Sequence, residues 1–264
     1  MNNILAATIA LGSIGLVLGI LLAVASKVLA IETDERLEKI SEILPGANCG
    51  ACGFAGCNAF ASAVINGDVS PSGCPVGGEQ LINQISEILG VAVDTRKKVV
   101  AHVNCSGGDA ILRRFQYVGV ESCYAAARVG GGPTECTFAC LGFGDCIKAC
   151  GFGAIRIERG HAVVDREKCT GCGLCAGACP RKIIEIIPEE SVYSVSCSSR
   201  DRGNITRTVC DYGCIGCLLC VKKCAHEAII VKDNLARIDY SLCVGCGDCV
   251  SVCPRGIIRV AKEV

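Results

Sequence analysis

The chain of 264 residues has no tryptophan, one methionine, three histidines and no excess of either charge. Its 26 basic residues balance its 26 acidic residues, which does not predict a nucleic-acid-binding protein, because such proteins typically carry a basic patch. The histidines (His102, His161 and His226) lack the spacing of a metal site. A surface or structural role is therefore expected for each of them.

The signatures of a self-contained catalytic centre are also missing. The sequence shows no glycine-rich phosphate loop, no nucleophile–base pair and no flavin fingerprint. The Gly-Gly-Gly-Pro segment that ends at Pro133 predicts a flexible turn. No complete active site is therefore predicted on this chain alone.

Cysteine, in contrast, is abundant, with 24 residues. In a short secreted chain this number would suggest a disulfide scaffold. Here the chain is long and many cysteines lie only two or three residues apart, which favours metal ligation by thiolates in a reducing compartment. Bonds between metal and thiolate would supply much of the folding free energy, so a large apolar core is not required.

Two cysteine runs follow the pattern Cys-x2-Cys-x2-Cys-x3-Cys-Pro. In bacterial ferredoxins this spacing places three thiolates on one [4Fe–4S] cluster and the fourth thiolate on the neighbouring cluster. Interspersed glycines allow the tight loop that the first three cysteines require. The two runs consist of Cys169, Cys172, Cys175 and Cys179, and of Cys243, Cys246, Cys249 and Cys253.

Two further runs depart from this pattern. The third, Cys214, Cys217, Cys220 and Cys224, has Ala225 in place of the proline. The fourth, an irregular run, consists of Cys136, Cys140, Cys146 and Cys150. When Cys140, Cys146 and Cys150 are aligned with the other runs, Phe143 stands where the second cysteine belongs. Structural zinc also uses Cys-x2-Cys pairs, but zinc sites do not need triplets followed by Cys-Pro. Iron–sulfur binding is therefore predicted, and a redox-inactive zinc scaffold is the remote alternative.

The N-terminal part contains an uncharged apolar run from Ile4 to Ala25. Its length predicts a transmembrane helix. Lys27, Arg36 and Lys39 follow it, which would place the bulk of the chain in the cytoplasm. A signal peptide cleaved near Ala25 is the weaker alternative, because no charged segment precedes the run.

A small helical module is predicted next, with helices over Glu32–Leu44, Phe54–Asn66 and Glu79–Leu89. It carries a Cys-x2-Cys-x4-Cys-x16-Cys-Pro motif, which suits a separate [4Fe–4S] cluster, with zinc as the alternative. The motif consists of Cys49, Cys52, Cys57 and Cys74. Residues 91–98 are predicted to be a linker.

An internal repeat begins after this linker. Val103-Asn104-Cys105-Ser106 is similar to Val195-Ser196-Cys197-Ser198, and β-hairpins are predicted through Arg159-Gly160 and Asp233-Asn234. The predicted fold class is therefore α+β, with an N-terminal transmembrane helix, a small helical Fe–S module and tandem two-cluster (2[4Fe–4S]) ferredoxin-like domains. The predicted boundaries are 1–28, 32–90, 99–188 and 189–264.

The ferredoxin spacing predicts that neighbouring runs share ligands. Cys150 would join Cys169, Cys172 and Cys175, and Cys224 would join Cys243, Cys246 and Cys249. Cys253 would complete the site of Cys214, Cys217 and Cys220, and Cys179 would complete that of the irregular run.

Five cysteines remain outside this scheme: Cys105, Cys123, Cys136, Cys197 and Cys210. If Cys123 fills the vacancy at Phe143, the other four form a sixth cluster between the two units. Alternatively, Cys136 completes the irregular run and the other four supply the sixth site or are merely buried thiols. Six clusters are expected, or five if the extra cysteines are not ligands.

The chain resembles the B subunit of the Rnf complex, the membrane-bound ferredoxin:NAD+ oxidoreductase of bacteria. The N-terminal hydrophobic run, the module sequence Asn48-Cys49-Gly50-Ala51-Cys52-Gly53-Phe54-Ala55-Gly56-Cys57 and the tandem ferredoxin motifs carry the resemblance over essentially the whole chain. Phe143, Gly151 and Ala225 depart from the plain ferredoxin pattern.

The resemblance implies an electron-relay subunit that takes electrons from reduced ferredoxin and passes them through a chain of [4Fe–4S] clusters to the membrane subunits of the complex, coupled to Na+ or H+ transport. It implies a single-pass protein of the inner (cytoplasmic) membrane with its Fe–S domains in the cytoplasm. A membrane-anchored polyferredoxin for another reductase or hydrogenase is the alternative. A basic ferredoxin-docking surface is predicted, or else an ordinary solvated loop, at Arg200, Arg202, Arg207, Lys222 and Lys223.

Overall fold

The computed structural model describes residues 2–28, 34–92 and 97–261. Within them the helices are α1 (Asn2–Val28), α2 (Glu35–Ile43), α3 (Cys57–Ile65), α4 (Gly78–Leu89), α5 (Cys123–Arg128), α6 (Asp145–Lys148), α7 (Leu174–Ala178), α8 (Gly203–Val209), α9 (Leu219–Lys223) and α10 (Asp248–Ser251). The strands are β1 (Val99–Val103), β2 (Ile155–Glu158), β3 (His161–Val164), β4 (Ile184–Pro188), β5 (Tyr193–Val195), β6 (Ile229–Lys232), β7 (Leu235–Ile238) and β8 (Ile258–Val260).

The predicted N-terminal transmembrane helix is corrected by the structure. Crossing the hydrocarbon core of a bilayer takes about 20 consecutive apolar residues in one helix, because each residue advances the helix by only about 1.5 Å. Among the described residues, no helix combines sufficient length and apolarity to span a membrane. The prediction of a membrane span over the uncharged run from Ile4 to Ala25 is therefore wrong.

The N-terminal module is built from α2, α3 and α4 around a small apolar core. Ile40, Phe60 and Ile85 contribute one fully buried side chain from each helix. Helix α4 ends at Gly90, which adopts a left-handed φ of 67° as the cap, as its position after the last apolar residue predicts. Helix α3 begins at Cys57 and not at Phe54, because Gly53 and Gly56 have non-helical backbones.

Each ferredoxin-like unit contains two small antiparallel sheets. One is the predicted hairpin, β2 with β3 in the first unit and β6 with β7 in the second. Arg159, Gly160, Asp233 and Asn234 all have positive φ, as a two-residue hairpin turn of this type requires. The predicted hairpins are thereby confirmed.

The second sheet in each unit joins the ends of that unit. Strand β1 pairs with β4, with Val99 opposite Pro188, and β5 pairs with β8, with Tyr193 opposite Val260. These pairings close each unit around its cysteine loops, which project from the sheets. Buried side chains from both sheets form one apolar cluster in each unit.

The two units meet along an interface of backbone and side-chain hydrogen bonds. Ser106 Oγ donates to the Ser196 carbonyl over 3.3 Å, and Ser198 Oγ donates to the Phe138 carbonyl over 3.0 Å. The Leu112 N–H also donates to the carbonyl that precedes Cys210, over 3.2 Å. The segments that carry Cys105, Cys136, Cys197 and Cys210 therefore lie at the contact between the units.

Candidate iron–sulfur centres

The cysteines of the N-terminal module line one common cavity. Asn48 shapes the loop, because its Oδ1 accepts the Cys57 N–H over 2.8 Å at the start of α3. Phe60 also lines the cavity. The residues brought together are Cys49, Cys52, Cys57 and Cys74.

In the first ferredoxin-like unit, one cavity is lined by a cysteine from the long insert between Cys105 and Cys136 as well as by the irregular run. Asp145 fixes the insert, because its carboxylate accepts hydrogen bonds from Ser122 Oγ over 2.8 Å and from the Tyr124 N–H over 3.0 Å. These contacts hold the first turn of α5 against α6. The cysteines lining the cavity are Cys123, Cys140, Cys146 and Cys179.

The second cysteine group of this unit lies on the loop before α7. Burial raises the pKa of Cys175 to about 11, and the neighbouring Cys169, Cys172 and Cys150 raise it further. The Ala101 N–H of strand β1 donates to Cys169 Sγ over 3.3 Å. Strand β1 thus contacts the loop that carries these cysteines.

The second unit repeats this arrangement with two cavities. The first is lined by Cys214, Cys217, Cys220 and Cys253. The second is lined by Cys224, Cys243, Cys246 and Cys249. His226 also lines the second cavity, which the sequence spacing did not indicate.

The remaining cysteines meet at the contact between the units. Burial raises the pKa of Cys136 to about 11, and the neighbouring thiols of Cys105 and Cys210 raise it further. Burial likewise raises the pKa of Cys197 to about 12, and Cys214 and Cys105 raise it further. The structure therefore places Cys136 beside Cys105 and Cys210, and Cys123 beside the irregular run.

Two matching hydrogen bonds connect this central group, which consists of Cys105, Cys136, Cys197 and Cys210, to the cavities on either side. The Cys140 N–H donates to Cys105 Sγ over 3.4 Å, and the Cys214 N–H donates to Cys197 Sγ over 3.3 Å. Cys140 and Cys214 are equivalent in the repeat, so the central group contacts both units in the same way. Backbone donors to sulfur are one of the means by which proteins tune iron–sulfur clusters.

The chemistry of the donor set fits clusters better than single ions. Among the described residues, no three His, Cys, Asp or Glu side chains converge closely enough to bind one metal ion. A single zinc ion needs every thiolate at about 2.3 Å, whereas a [4Fe–4S] cluster places iron and sulfide between its ligands. Cysteines that line one cavity without converging on a single point are therefore suited to one multi-atom cluster.

Comparisons with known proteins agree with these sites. A family described as an Fe-S cluster domain matches residues 44–76, a 4Fe-4S binding domain matches residues 162–185 and a 4Fe-4S dicluster domain matches residues 213–258. The chain is 40% identical to the B subunit of the ion-translocating oxidoreductase complex of Methanosarcina acetivorans, over 98% of the chain and 100% of the relative. The chain belongs to this B-subunit family.

Two other members of the family are similar over nearly the whole chain. The B subunit of the Na(+)-translocating ferredoxin:NAD(+) oxidoreductase complex of Acetobacterium woodii is 42% identical, over 98% of the chain and 78% of the relative. The proton-translocating counterpart of Clostridium ljungdahlii is 38% identical, over 98% of the chain and 93% of the relative. The resemblance to the Rnf B subunit inferred from the sequence is thereby confirmed.

This member of the B-subunit family also has features at its cysteine sites that spacing alone did not reveal. Arg181 and Arg255 line the cavities of Cys179 and Cys253, and each directly follows a Cys-Pro pair. The Cys-Pro-Arg triplet, which occurs twice in the sequence, is the pattern from which these two arginines could have been predicted. Of the histidines, His102 and His161 are buried and His226 is exposed.

Proposed function

We propose that this chain is the iron–sulfur electron-transfer subunit of an ion-translocating ferredoxin:NAD+ oxidoreductase. It takes electrons from reduced ferredoxin and relays them through [4Fe–4S] clusters to the other subunits of the complex. The names of its relatives support the type of complex, and the cysteine cavities support the role within it. The observation that carries the proposal is that all 24 cysteines are free and that four separate cavities are each lined by four of them. We assign the other eight to two further groups of four from their neighbouring thiols.

Each group is proposed to hold one cluster, which makes six clusters in all. The N-terminal cluster would bind Cys49, Cys52, Cys57 and Cys74. The first unit would bind clusters through Cys123, Cys140, Cys146 and Cys179, and through Cys150, Cys169, Cys172 and Cys175. The second unit would use Cys214, Cys217, Cys220 and Cys253, and Cys224, Cys243, Cys246 and Cys249. The central cluster would bind Cys105, Cys136, Cys197 and Cys210.

The contacts between these groups suggest an order for the relay. The central group contacts one group in each unit through Cys140 and Cys214. In the first unit, burial raises the pKa of Cys146 to about 12, and Cys175 of the adjacent group is among its neighbours. In the second unit, helices α9 and α10, which carry Cys220 and Cys249, pack against each other. We therefore propose that the five groups of the two units form a continuous series with the central group in the middle. When bound, the clusters supply one-electron chemistry, and the chain fixes their spacing.

The buried thiols also indicate how cluster binding would be coupled to folding. Burial raises the pKa of several of them to about 11 or 12, so without metal they are protonated at neutral pH. The positive charge of iron is what favours the thiolate form. Folding of the two units is therefore expected to depend on cluster insertion.

The complex is proposed to be associated with a membrane, since ion translocation moves charge from one side of a membrane to the other. The requirement for reduced thiols favours the cytoplasmic side for the cluster-bearing residues. Residues 32–90, 99–188 and 189–264 are proposed as the cluster-bearing domains. The other subunits of the complex are the partners that receive the electrons.

The proposal is tested on the full chain purified without oxygen. We expect a brown protein with about 24 iron atoms and about as many sulfides per chain, as six clusters of four require. Because no histidine ligand is proposed, the clusters should be reduced only at low potential. Zinc without sulfide, or clusters that dithionite cannot reduce, would contradict the proposal.

A further inference from the structure

The cysteines of the six groups differ in their access to solvent. Among all 24 cysteines, only Cys217 and Cys246 are exposed. They belong to the two different groups of the second unit, so each marks an opening through which a cluster would come close to the surface. Because electron transfer weakens steeply with distance, these openings are the places at which a protein partner can exchange electrons with the chain.

The opening at Cys217 presents apolar side chains. Leu218 and Leu219 are 45% and 44% exposed, and Leu218 also lines the cysteine cavity. Leu218 adopts a left-handed backbone with a φ of 61°, which is unfavourable for a residue with a β-carbon. At the equivalent position the other three runs have glycine, namely Gly144, Gly173 and Gly247, with φ of 76°, 79° and 82°. The chain therefore keeps a leucine at this opening at a cost in stability, which points to a function.

Lysines stand beside this apolar centre. Lys222 and Lys223 are exposed at the end of α9, one turn after Leu218 and Leu219. Neither lysine takes part in an ion pair within the described ranges of the chain. Their charges are therefore available to a partner.

Arginines approach the same loop from another side. The Asn234 side chain donates to the Arg200 carbonyl over 3.0 Å, and the Asn234 backbone packs against Gly216, next to Cys217. Arg202 caps α8, whose first residue, Gly203, packs against the Ile215 carbonyl. Asp201, Asp211 and Asp233, the neighbour of Asn234, lie in the same region, but Arg200, Arg202, Arg207 and the two lysines outnumber them, so the rim is basic on balance.

The repeat shows how the equivalent place in the first unit is covered. There Phe143 replaces the exposed cysteine and packs edge-to-face on Tyr117 of the insert, with ring centroids 5.3 Å apart. Lys148, the counterpart of Lys222, donates to the Glu121 carbonyl of the same insert over 3.0 Å. In the first unit, an apolar centre with a lysine at its rim thus binds the insert. The equivalent surface in the second unit, at Cys217, is exposed.

The opening at Cys246 has a different character. Val244 is 63% exposed there, but Asp248 lines the cavity and is exposed. Lys223 directly precedes Cys224 of this cavity, but Asp248 stands two residues from Cys246, whereas no acidic residue lies within three residues of Cys217. An acidic partner is therefore favoured at Cys217 and disfavoured at Cys246.

We propose that the opening at Cys217, with Leu218 and Leu219 at its centre and the basic rim around it, is the docking surface for a small acidic electron-carrier protein. The proposal rests on the proposed function, since it assigns the place where electrons enter. In each encounter the carrier loses one electron and this chain gains one, while no covalent bond forms and no proton moves.

Stopped-flow reduction of the full, cluster-loaded chain by a reduced two-cluster acidic ferredoxin tests this surface. Lys222→Glu combined with Lys223→Glu should lower the second-order rate constant about tenfold at low ionic strength and flatten its dependence on salt. Leu218→Gly should lower the rate at all salt concentrations without loss of stability, because glycine relieves the left-handed strain. Lys182→Glu serves as the charge control, since Lys182 is exposed and belongs to the first unit.

Iron content and reduction by dithionite separate the two proposals. If the variants keep their clusters, are reduced normally by dithionite and are slow only with ferredoxin, the docking surface is supported. If all variants retain clusters and react with ferredoxin as the wild type does, this surface is wrong while the proposed function stands. Among single variants of equal charge change, a loss of rate in Lys182→Glu equal to that in Lys222→Glu alone would also overturn it, because the effect would then reflect net charge alone.

Discussion

Two arginines occupy matching positions beside the cysteine cavities on either side of the central group. Arg181 donates to the Gly131 carbonyl over 2.5 Å, and Arg255 donates to the Cys210 carbonyl. The Nε atoms of both are buried without a hydrogen-bond partner in the described part of the chain. A positive charge held here stabilises a neighbouring cluster that has accepted an electron, because reduction adds negative charge to the cluster.

We therefore expect Arg255→Met to lower the reduction potential of the cluster proposed at Cys253, and Arg181→Met to do the same at Cys179. Arg255→Lys keeps the charge and should retain most of the wild-type potential. Redox titration followed by electron paramagnetic resonance provides the measurement. Wild-type potentials in both methionine variants would show that the arginines only pack the interface.

His102 is a buried residue of strand β1 that faces the second unit. Desolvation lowers its pKa to about 4, the Arg166 charge lowers it further, and a hydrogen bond with the Val195 backbone opposes the shift. The side chain is 5% exposed, and its Nε2 has no partner among the described residues. His102 is therefore neutral in the folded protein at pH values where the unfolded chain already protonates it.

Since the unfolded state binds the proton more tightly, stability is lost as the pH falls from about 6.5 to about 4. Between pH 7 and pH 5 this group should remove about 2 kcal/mol from the free energy of unfolding. Anaerobic urea unfolding of the wild type and of His102→Gln measures the effect as the difference between two pH profiles. Parallel profiles would show that His102 does not have the lowered pKa.

At the scale of elements, the long insert of the first unit explains why one cysteine run is irregular. Helix α5 carries Cys123 to the cavity, and Tyr117 covers Phe143, so the insert supplies a thiol where the run has an aromatic ring. The insert and the run therefore depend on each other. The second unit has a shorter segment between Cys197 and Cys210 and a regular run.

This dependence predicts a rescue. Cys123→Ser should remove one cluster and lower the iron content from about 24 to about 20 atoms per chain. Adding Phe143→Cys restores the regular spacing and should restore the iron, although the lost contact with Tyr117 costs about 1 kcal/mol. Iron and sulfide analysis of the single and double variants checks this. Full iron content in Cys123→Ser would mean that Cys123 is not a ligand.

The sequence predicted local elements better than distant ones. The hairpins through Gly160 and Asn234 could be predicted because alternation and turn residues are local signals. The pairing of β1 with β4 could not be predicted, because it joins segments that lie more than 80 residues apart in the sequence. The register of such a pair depends on the packing of the whole unit. The place of Cys123 was one of two alternatives for the same reason, since counting cysteines does not show where an insert folds back.

At the scale of the whole molecule, the two units are similar copies placed on either side of a shared cysteine group. Cys105 and Cys136 come from the first unit, and Cys197 and Cys210 from the second. The backbone donors at Cys140 and Cys214 tie this group to one cavity on each side. A cluster at this place would be the only step that joins the two halves of the proposed relay.

Removing that step should divide the relay without dismantling either half. In the variant Cys105→Ser with Cys136→Ser, we expect the iron content to fall from about 24 to about 20 atoms per chain. Ferredoxin should still reduce the second unit at the wild-type rate, because the opening at Cys217 is unchanged. Reduction of the first unit should become a separate, slow phase, because electrons must then cross the gap left at the centre.

Cys57→Ser is the matched control, since it removes one cluster from the N-terminal module, whose apolar core is separate from those of the two units. It should lose the same amount of iron and keep fast reduction of both units. Freeze-quench electron paramagnetic resonance resolves the order in which the clusters are reduced. If the central variant and the control show the same single fast phase, the units exchange electrons by another route and the central group is not part of the relay.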